Sequence, residues 1–185
     1  MSLNAVTSLR QYVNTLASIR RQGKIPSSFT DENVKIEADP ESSLRDSNGL
    51  EHMFLDFINI NKEHKLKGKV GGCYKYAYRA SCDYDNLIYC EGYAVGRGLG
   101  IPLMHAWCVD KNTHQVYDPT WKNKNAGESY CGLPLSTRFI HAVMIQSELY
   151  GVLDNLWYVT KKLNNFKLNE IVHKDFHDLV FAKSI

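Results

Sequence analysis

The chain has 185 residues, with 22 Lys and Arg against 20 Asp and Glu and a formal net charge of +2. That length fits one domain, and 44% apolar residues are enough to build a core. The near balance of charge excludes a global drive toward nucleic acid or acidic membranes, and no apolar run reaches the roughly 20 residues of a bilayer span. Polar residues interrupt Ser2 to Gly23 throughout, so no secretory apolar region opens the chain and the expectation is a soluble, cytoplasmic protein. Five cysteines stand at 73, 82, 90, 108 and 131. An odd number in a chain of this size argues against a disulfide framework. No pair has CxxC spacing, so neither a structural zinc nor any other metal or cofactor is expected.

Residues 3–20 carry Leu3, Val6, Leu9, Val13, Leu16 and Ile19 at roughly every third position, which predicts an amphipathic helix ending at Gly23. Residues 26–47 are polar and turn-rich and read as a surface loop, with one short strand at Val34–Ile36. Met53, Phe54, Phe57 and Ile58 suggest a second helix starting near Asn48. The basic run Lys62–Lys69 reads as a solvated loop. Gly71 and Gly72 form a turn, and Tyr74–Ser81 contains neither Gly nor Pro and predicts a helix. Leu87–Val95 reads as a strand, Gly96, Gly98 and Gly100 as a turn, Met104–Val109 as a second strand, and Gln115–Tyr117 as the start of a third. Asp110–His114 joins the last two as a hairpin loop. Residues 137–157 predict a helix with Phe139, Ile140, Val143, Met144 and Leu149 as its apolar stripe, and a short helix is expected near Leu168–Phe176. The order predicts an α+β fold, a single domain with residues 1–60 as an N-terminal extension, 71–155 as the core and 156–185 as a tail.

Three short segments carry chemistry: GGCYKYA (71–77), MHAWCVD (104–110) and VYDPTW (116–121). A nucleophilic thiol needs a lowered pKa, a base within reach and a group that orients the base. Cys73 at a helix start meets unpaired backbone N–H groups and the positive end of the dipole, which favour the thiolate. The same N–H groups suit an oxyanion, and Gly72 lets the backbone come close to a substrate. His105 shares a strand face with Trp107 and can take the thiol proton. Asp118, one hairpin away, can hold the other ring nitrogen. Tyr74, Glu91, Trp107 and Trp121 adjoin this set. Glu91 reads equally as a surface carboxylate or as a group facing the site, there to bind a substrate cation or brace His105. The two tryptophans and His141 read as core or boundary residues. Gly96–Gly100 leads into Pro102 and not into a helix, so a dinucleotide loop is not expected.

Cys73, then Gly92-Tyr93, His105-Ala106-Trp107 and Asp118-Pro119-Thr120-Trp121 together resemble the transglutaminase-like branch of the papain-like cysteine enzymes. The segment also resembles a group of small bacterial and phage proteins, over roughly residues 71–155. The resemblance implies a Cys-bearing helix packed on a small antiparallel sheet, with flanking helices. It implies a Cys73–His105–Asp118 triad acting on a peptide or amide. Amide hydrolysis (peptidase, isopeptidase or glutamine deamidase) leads. Acyl transfer of transglutaminase or N-acetyltransferase type, and an inert binding module that keeps the fold, stand as alternatives. Many members carry a Gly-Ile-Pro motif between the Cys helix and the strand before HAW. Here Gly100-Ile101-Pro102 follows Cys90, which makes Cys90 the alternative nucleophile. Only Leu103 and Met104 separate that motif from His105, and strand formers flank Cys90, so Cys73 is favoured.

Overall fold

A computed structural model describes residues 3–21, 50–58, 66–97, 100–121, 127–153 and 166–182. The expected loop over 26–47, with its strand at Val34–Ile36, lies outside the described residues, as do Gly98 and residues 154–157. Helix α1 (Leu3–Arg21) follows the predicted span. Leu9 and Val13 are buried one turn apart on its inner face, with Leu16 partly buried below them. Arg10 fixes the helix to the sheet: its guanidinium lies 2.7 Å from Asp56 and donates to the Phe54 carbonyl at 2.8 Å.

The expected second helix is not formed. A 3-10 turn at Leu50–Met53 leads into strand β1 (Leu55–Ile58). Leu55 and Phe57 are buried while Asp56 between them is exposed, a period of two. Pairing decides the outcome, because β1 lies antiparallel on β5 (Gly127–Pro134), a strand that the sequence reading did not anticipate. The remaining strands are β2 (Leu87–Gly96), β3 (Pro102–Asp110) and β4 (Val116–Tyr117). The sheet has five strands in the order β1-β5-β2-β3-β4, and every neighbouring pair is antiparallel. The fold is α+β, but its sheet is wider than the three-strand meander expected.

β2 and β5 approach very closely at Gly92 and Gly132, which face each other. A Cβ on Gly92 would lie 2.2 Å from the Cys131 carbonyl oxygen, so only glycine fits there. The β3–β4 hairpin is closed by Asp110, whose carboxylate accepts from the N–H groups of Asn112 and Thr113 and from the Asn86 amide at 2.6–2.9 Å.

Helix α2 (Cys73–Asp83) packs on β3, where the Cys108 thiol donates to the Ala77 carbonyl at 3.2 Å. Helix α3 (Thr137–Ser147) starts at Ser136, whose hydroxyl accepts from the Phe139 N–H. It ends ten residues before its predicted limit because Glu148 takes a left-handed conformation, φ 57°. Short helical turns at Leu168–Ile171, Lys174–Phe176 and His177–Phe181 bring Phe176 and Val180 into the core. One hydrophobic cluster runs from Leu9 to Val180.

Candidate active site

Strand register sorts the site residues into two faces. Directly opposed residues of antiparallel strands point to the same side of the sheet. His105 and Trp107 oppose Gly92 and Cys90, and Ala106 and Cys108 oppose Glu91 and Tyr89. The body of α2 lies on the Ala106–Cys108 face, so His105 points away from it. The meeting of Cys73 with His105 therefore takes place at the strand edge. β4 covers β3 only at Cys108 and Val109, and among the described residues no strand pairs with the earlier part of β3 on that side. Strand N–H groups lie in the plane of the sheet, and the Ala106 N–H interacts with the Cys73 thiol. The thiol thus sits at the open edge of β3 and meets the imidazole there.

The start of α2 is built for this position. Gly71 turns the chain with φ 84°, and Gly72 caps the helix without a side-chain partner. A Cβ at Gly72 would press on the Tyr76 ring at 2.8 Å. Gly68 is seated as tightly, because a Cβ there would lie 2.8 Å from the Pro119 carbonyl oxygen. The expected solvated loop is thus partly anchored: Leu66 is buried and Gly68 is packed against the DPTW turn, while Lys67 and Lys69 are exposed.

Cys73 is half-buried. Burial pushes its thiol pKa up, but the hydrogen bond and charge of His105, with the backbone N–H groups of Ala106 and Tyr74, outweigh burial and hold it below the ordinary value. His105 is 2% exposed, and its Nε2–H donates to Asp118 Oδ2 at 2.7 Å. Burial pulls the imidazole pKa down, yet Asp118 and Cys73 together raise it to about 9. Asp118 is buried as well. Burial raises its carboxyl pKa, and His105 with the N–H groups of Trp121 and Thr120 lowers it below the ordinary value. Its Oδ1 accepts from Thr120 N–H, Thr120 Oγ1 and Trp121 N–H at 2.8–2.9 Å. Its Oδ2 also accepts from the Tyr130 phenol at 2.9 Å. Three neutral side-chain or backbone groups on one oxygen, and two donors on the other, keep the carboxylate ionised without solvent.

Trp121 stacks on His105, with centroids 4.0 Å apart and planes 21° apart, and so fixes the ring plane. Trp107 is fully buried and lies 5.0 Å from the Tyr130 ring, in the core as expected. Tyr130 is the site residue missed from the sequence. Its strand is buried almost throughout, without alternation, and holds two glycines, so no local signal marks it. His141 is half-buried against Tyr78, a boundary position.

Comparison with family models, curated proteins and solved structures finds no match for this chain.

Cys90 lies on a strand, as its flanking residues predict, and the facing of Glu91, left open by the sequence, is settled by the register of β2. Cys90 is fully buried in the middle of β2, and burial, then Cys108 and Glu91, drive its pKa well up. Glu91 is fully buried too, and so is not the surface carboxylate weighed above. Nor does it brace His105 or wait for a substrate cation. It projects to the opposite face, where it accepts from the Tyr89 phenol at 2.5 Å and from the N–H groups of Val152 and Leu153 at 2.6 and 2.7 Å. Among the described residues, no group of three or more His, Cys, Asp or Glu side chains is arranged to hold a metal ion. No described helix is long and apolar enough to cross a membrane.

Proposed function

We propose that the protein is a thiol-dependent amidohydrolase on a papain-like, transglutaminase-like core, with Cys73 as nucleophile, His105 as proton carrier and Asp118 as the group that orients His105. One observation carries this reading: His105 stands between the Cys73 thiol and the Asp118 carboxylate. With Nε2 committed to Asp118, Nδ1 is the ring nitrogen left for the thiol proton. The Cys73 thiolate attacks the substrate carbonyl, and a C–S bond forms as the carbonyl π electrons move onto oxygen. N–H groups at the α2 start stabilise that oxyanion. As the tetrahedral intermediate collapses, the C–N bond breaks and the imidazolium gives its proton to the leaving amine. Water, deprotonated by the now neutral imidazole, then cleaves the thioester, releasing the acid and restoring the thiolate. The enclosure and raised pKa of Cys90 speak against it as the nucleophile.

The test is a screen of peptide amides and glutamine peptides that scores acid product and ammonia, with and without added amine. Cys73→Ala abolishes product while Cys90→Ala retains it. Product from Cys73→Ala, or its loss only in Cys90→Ala, overturns the assignment. Amine incorporation at the expense of acid moves the reaction to acyl transfer.

A further inference from the structure

Glu91 is a buried ionisable group that the Cys73–His105–Asp118 chemistry does not use. Its carboxylate takes two consecutive backbone N–H groups, Val152 and Leu153, from a segment 61 and 62 residues away in sequence. Two bonds from adjacent peptide units to one carboxylate fix both the height and the rotation of that segment. Losing them would leave a buried charge with only the Tyr89 phenol among these three donors, so the seat and the segment depend on each other.

The segment lies beside the nucleophile. Gly151, at φ 100°, passes so near Tyr74 that a Cβ would lie 3.3 Å from its ring. Tyr74 is the residue after Cys73. The Tyr150 ring lies 6.1 Å from that of Tyr78, one turn further along α2. The Tyr89 phenol, which donates to Glu91, is raised first by burial, then by Glu91, then by Tyr74 and Cys73, so the Glu91 seat lies within electrostatic range of the thiol. Residues 149–153 (LYGVL) carry no charge. Leu149 and Tyr150 keep 51% and 45% of their surface exposed. Exposed apolar side chains also flank the other two site segments: Val70 before the Gly71-Gly72 turn and Leu103 two residues before His105. Exposed apolar groups on segments adjoining Cys73 and His105 in the chain, together with a 149–153 segment packed along α2, suit a substrate that brings an apolar side chain.

We propose that residues 149–153 form a wall of the acyl-donor site, that Glu91 is the positioning residue that seats this wall, and that the wall selects substrates with an apolar side chain next to the reacting carbonyl. The proposal rests on the reading of Cys73 as the nucleophile. The wall recognises the acyl portion, while Glu91 itself touches no substrate.

The experiment compares second-order labelling of Cys73, followed by peptide mass spectrometry, with three probes: iodoacetamide, acetyl-glycine chloromethyl ketone and acetyl-phenylalanine chloromethyl ketone. The wild-type protein is expected to favour the phenylalanine probe over the glycine probe by about tenfold or more. Tyr150→Ala, at an exposed position that does not threaten folding, removes most of that preference. Glu91→Gln does the same, read as the ratio of the two chloromethyl ketone rates after each is divided by that variant's own iodoacetamide rate at Cys73. Should Glu91→Gln fail to fold, Leu149→Ala and Tyr150→Ala decide the matter. A wild-type preference near unity, or one that survives Tyr150→Ala and Leu149→Ala, overturns the wall. Equal slowing of all three probes in Glu91→Gln makes Glu91 a structural support only and overturns its assigned role. A wild-type Cys73 inert to iodoacetamide sinks the thiol reading itself, whereas a reactive Cys73 with no preference sinks only the wall.

Discussion

Cys73 and Cys90 are the same side chain in two opposite settings. Cys73 opens a helix at a strand edge, half-buried, with an imidazole and two backbone N–H groups turned toward its sulfur. Cys90 lies in the middle of β2, fully buried, and its thiol interacts with the Ile88 carbonyl at 3.8 Å. Both are desolvated, and desolvation alone disfavours a thiolate in each. The two pKa values move in opposite directions because only Cys73 faces positive charge and N–H groups. Cys90 instead meets the Ile88 carbonyl, and Cys108 and Glu91 add to the upward push of burial. The direction of each thiol pKa therefore follows from the groups aimed at sulfur, and exposure comes second.

The comparison breaks most sharply through Asp118, which is bonded to the imidazole that faces Cys73. Asp118→Asn is expected to lower turnover on the order of 10²- to 10⁴-fold, since the amide cannot hold the same tautomer or stabilise the imidazolium. Its pH profile carries the diagnosis. The folded protein holds His105 at about 9, so the thiolate–imidazolium pair persists up to that pH and activity declines above it. Because this pKa is raised above the unfolded value, the stabilisation it gives is complete below about 6.5 and is lost as pH rises through about 9. Removing the carboxylate moves the alkaline limb of activity to lower pH. An unchanged limb in Asp118→Asn would mean that Asp118 does not control His105.

A smaller effect is expected from Tyr130→Phe. It deletes one of two donors on Asp118 Oδ2 and leaves the His105 bond in place. A buried hydrogen bond to a charged group contributes about 1.5–3 kcal/mol, so the thermal midpoint falls measurably. Turnover drops less than in Asp118→Asn, and the Cys73 labelling rate changes in the same direction. A variant with wild-type stability in a melting experiment would show that the phenol does not support the carboxylate.

The two cysteines also mark what sequence could and could not reveal. GGC, HAW and DPTW are local motifs in which helix start, strand and turn can be read from a few residues, and the three side chains they carry do meet. The wider sheet was not legible in the same way. Gly127–Pro134 contains two glycines and a proline and carries no strand signal of its own, and it is a strand because Gly92 and Gly132 let β2 and β5 approach across 40 residues of sequence. β1 follows from β5, since its short apolar run becomes a strand only when an edge is present to pair with. Tyr130 and the Glu91 seat escaped notice for the same reason. Each depends on a contact between segments that no local pattern encodes.

The most direct test of the Cys73 assignment is the rate of iodoacetamide labelling as a function of pH, resolved for each cysteine by mass spectrometry. Cys82 is the internal standard, because it lies exposed on the same helix. The account predicts that Cys73 labels faster than Cys82 at mildly acidic pH, with an inflection below the ordinary thiol value of about 8.5, while Cys90 stays unlabelled in the folded protein. A Cys73 that labels no faster than Cys82, with its inflection at or above that value, would contradict it.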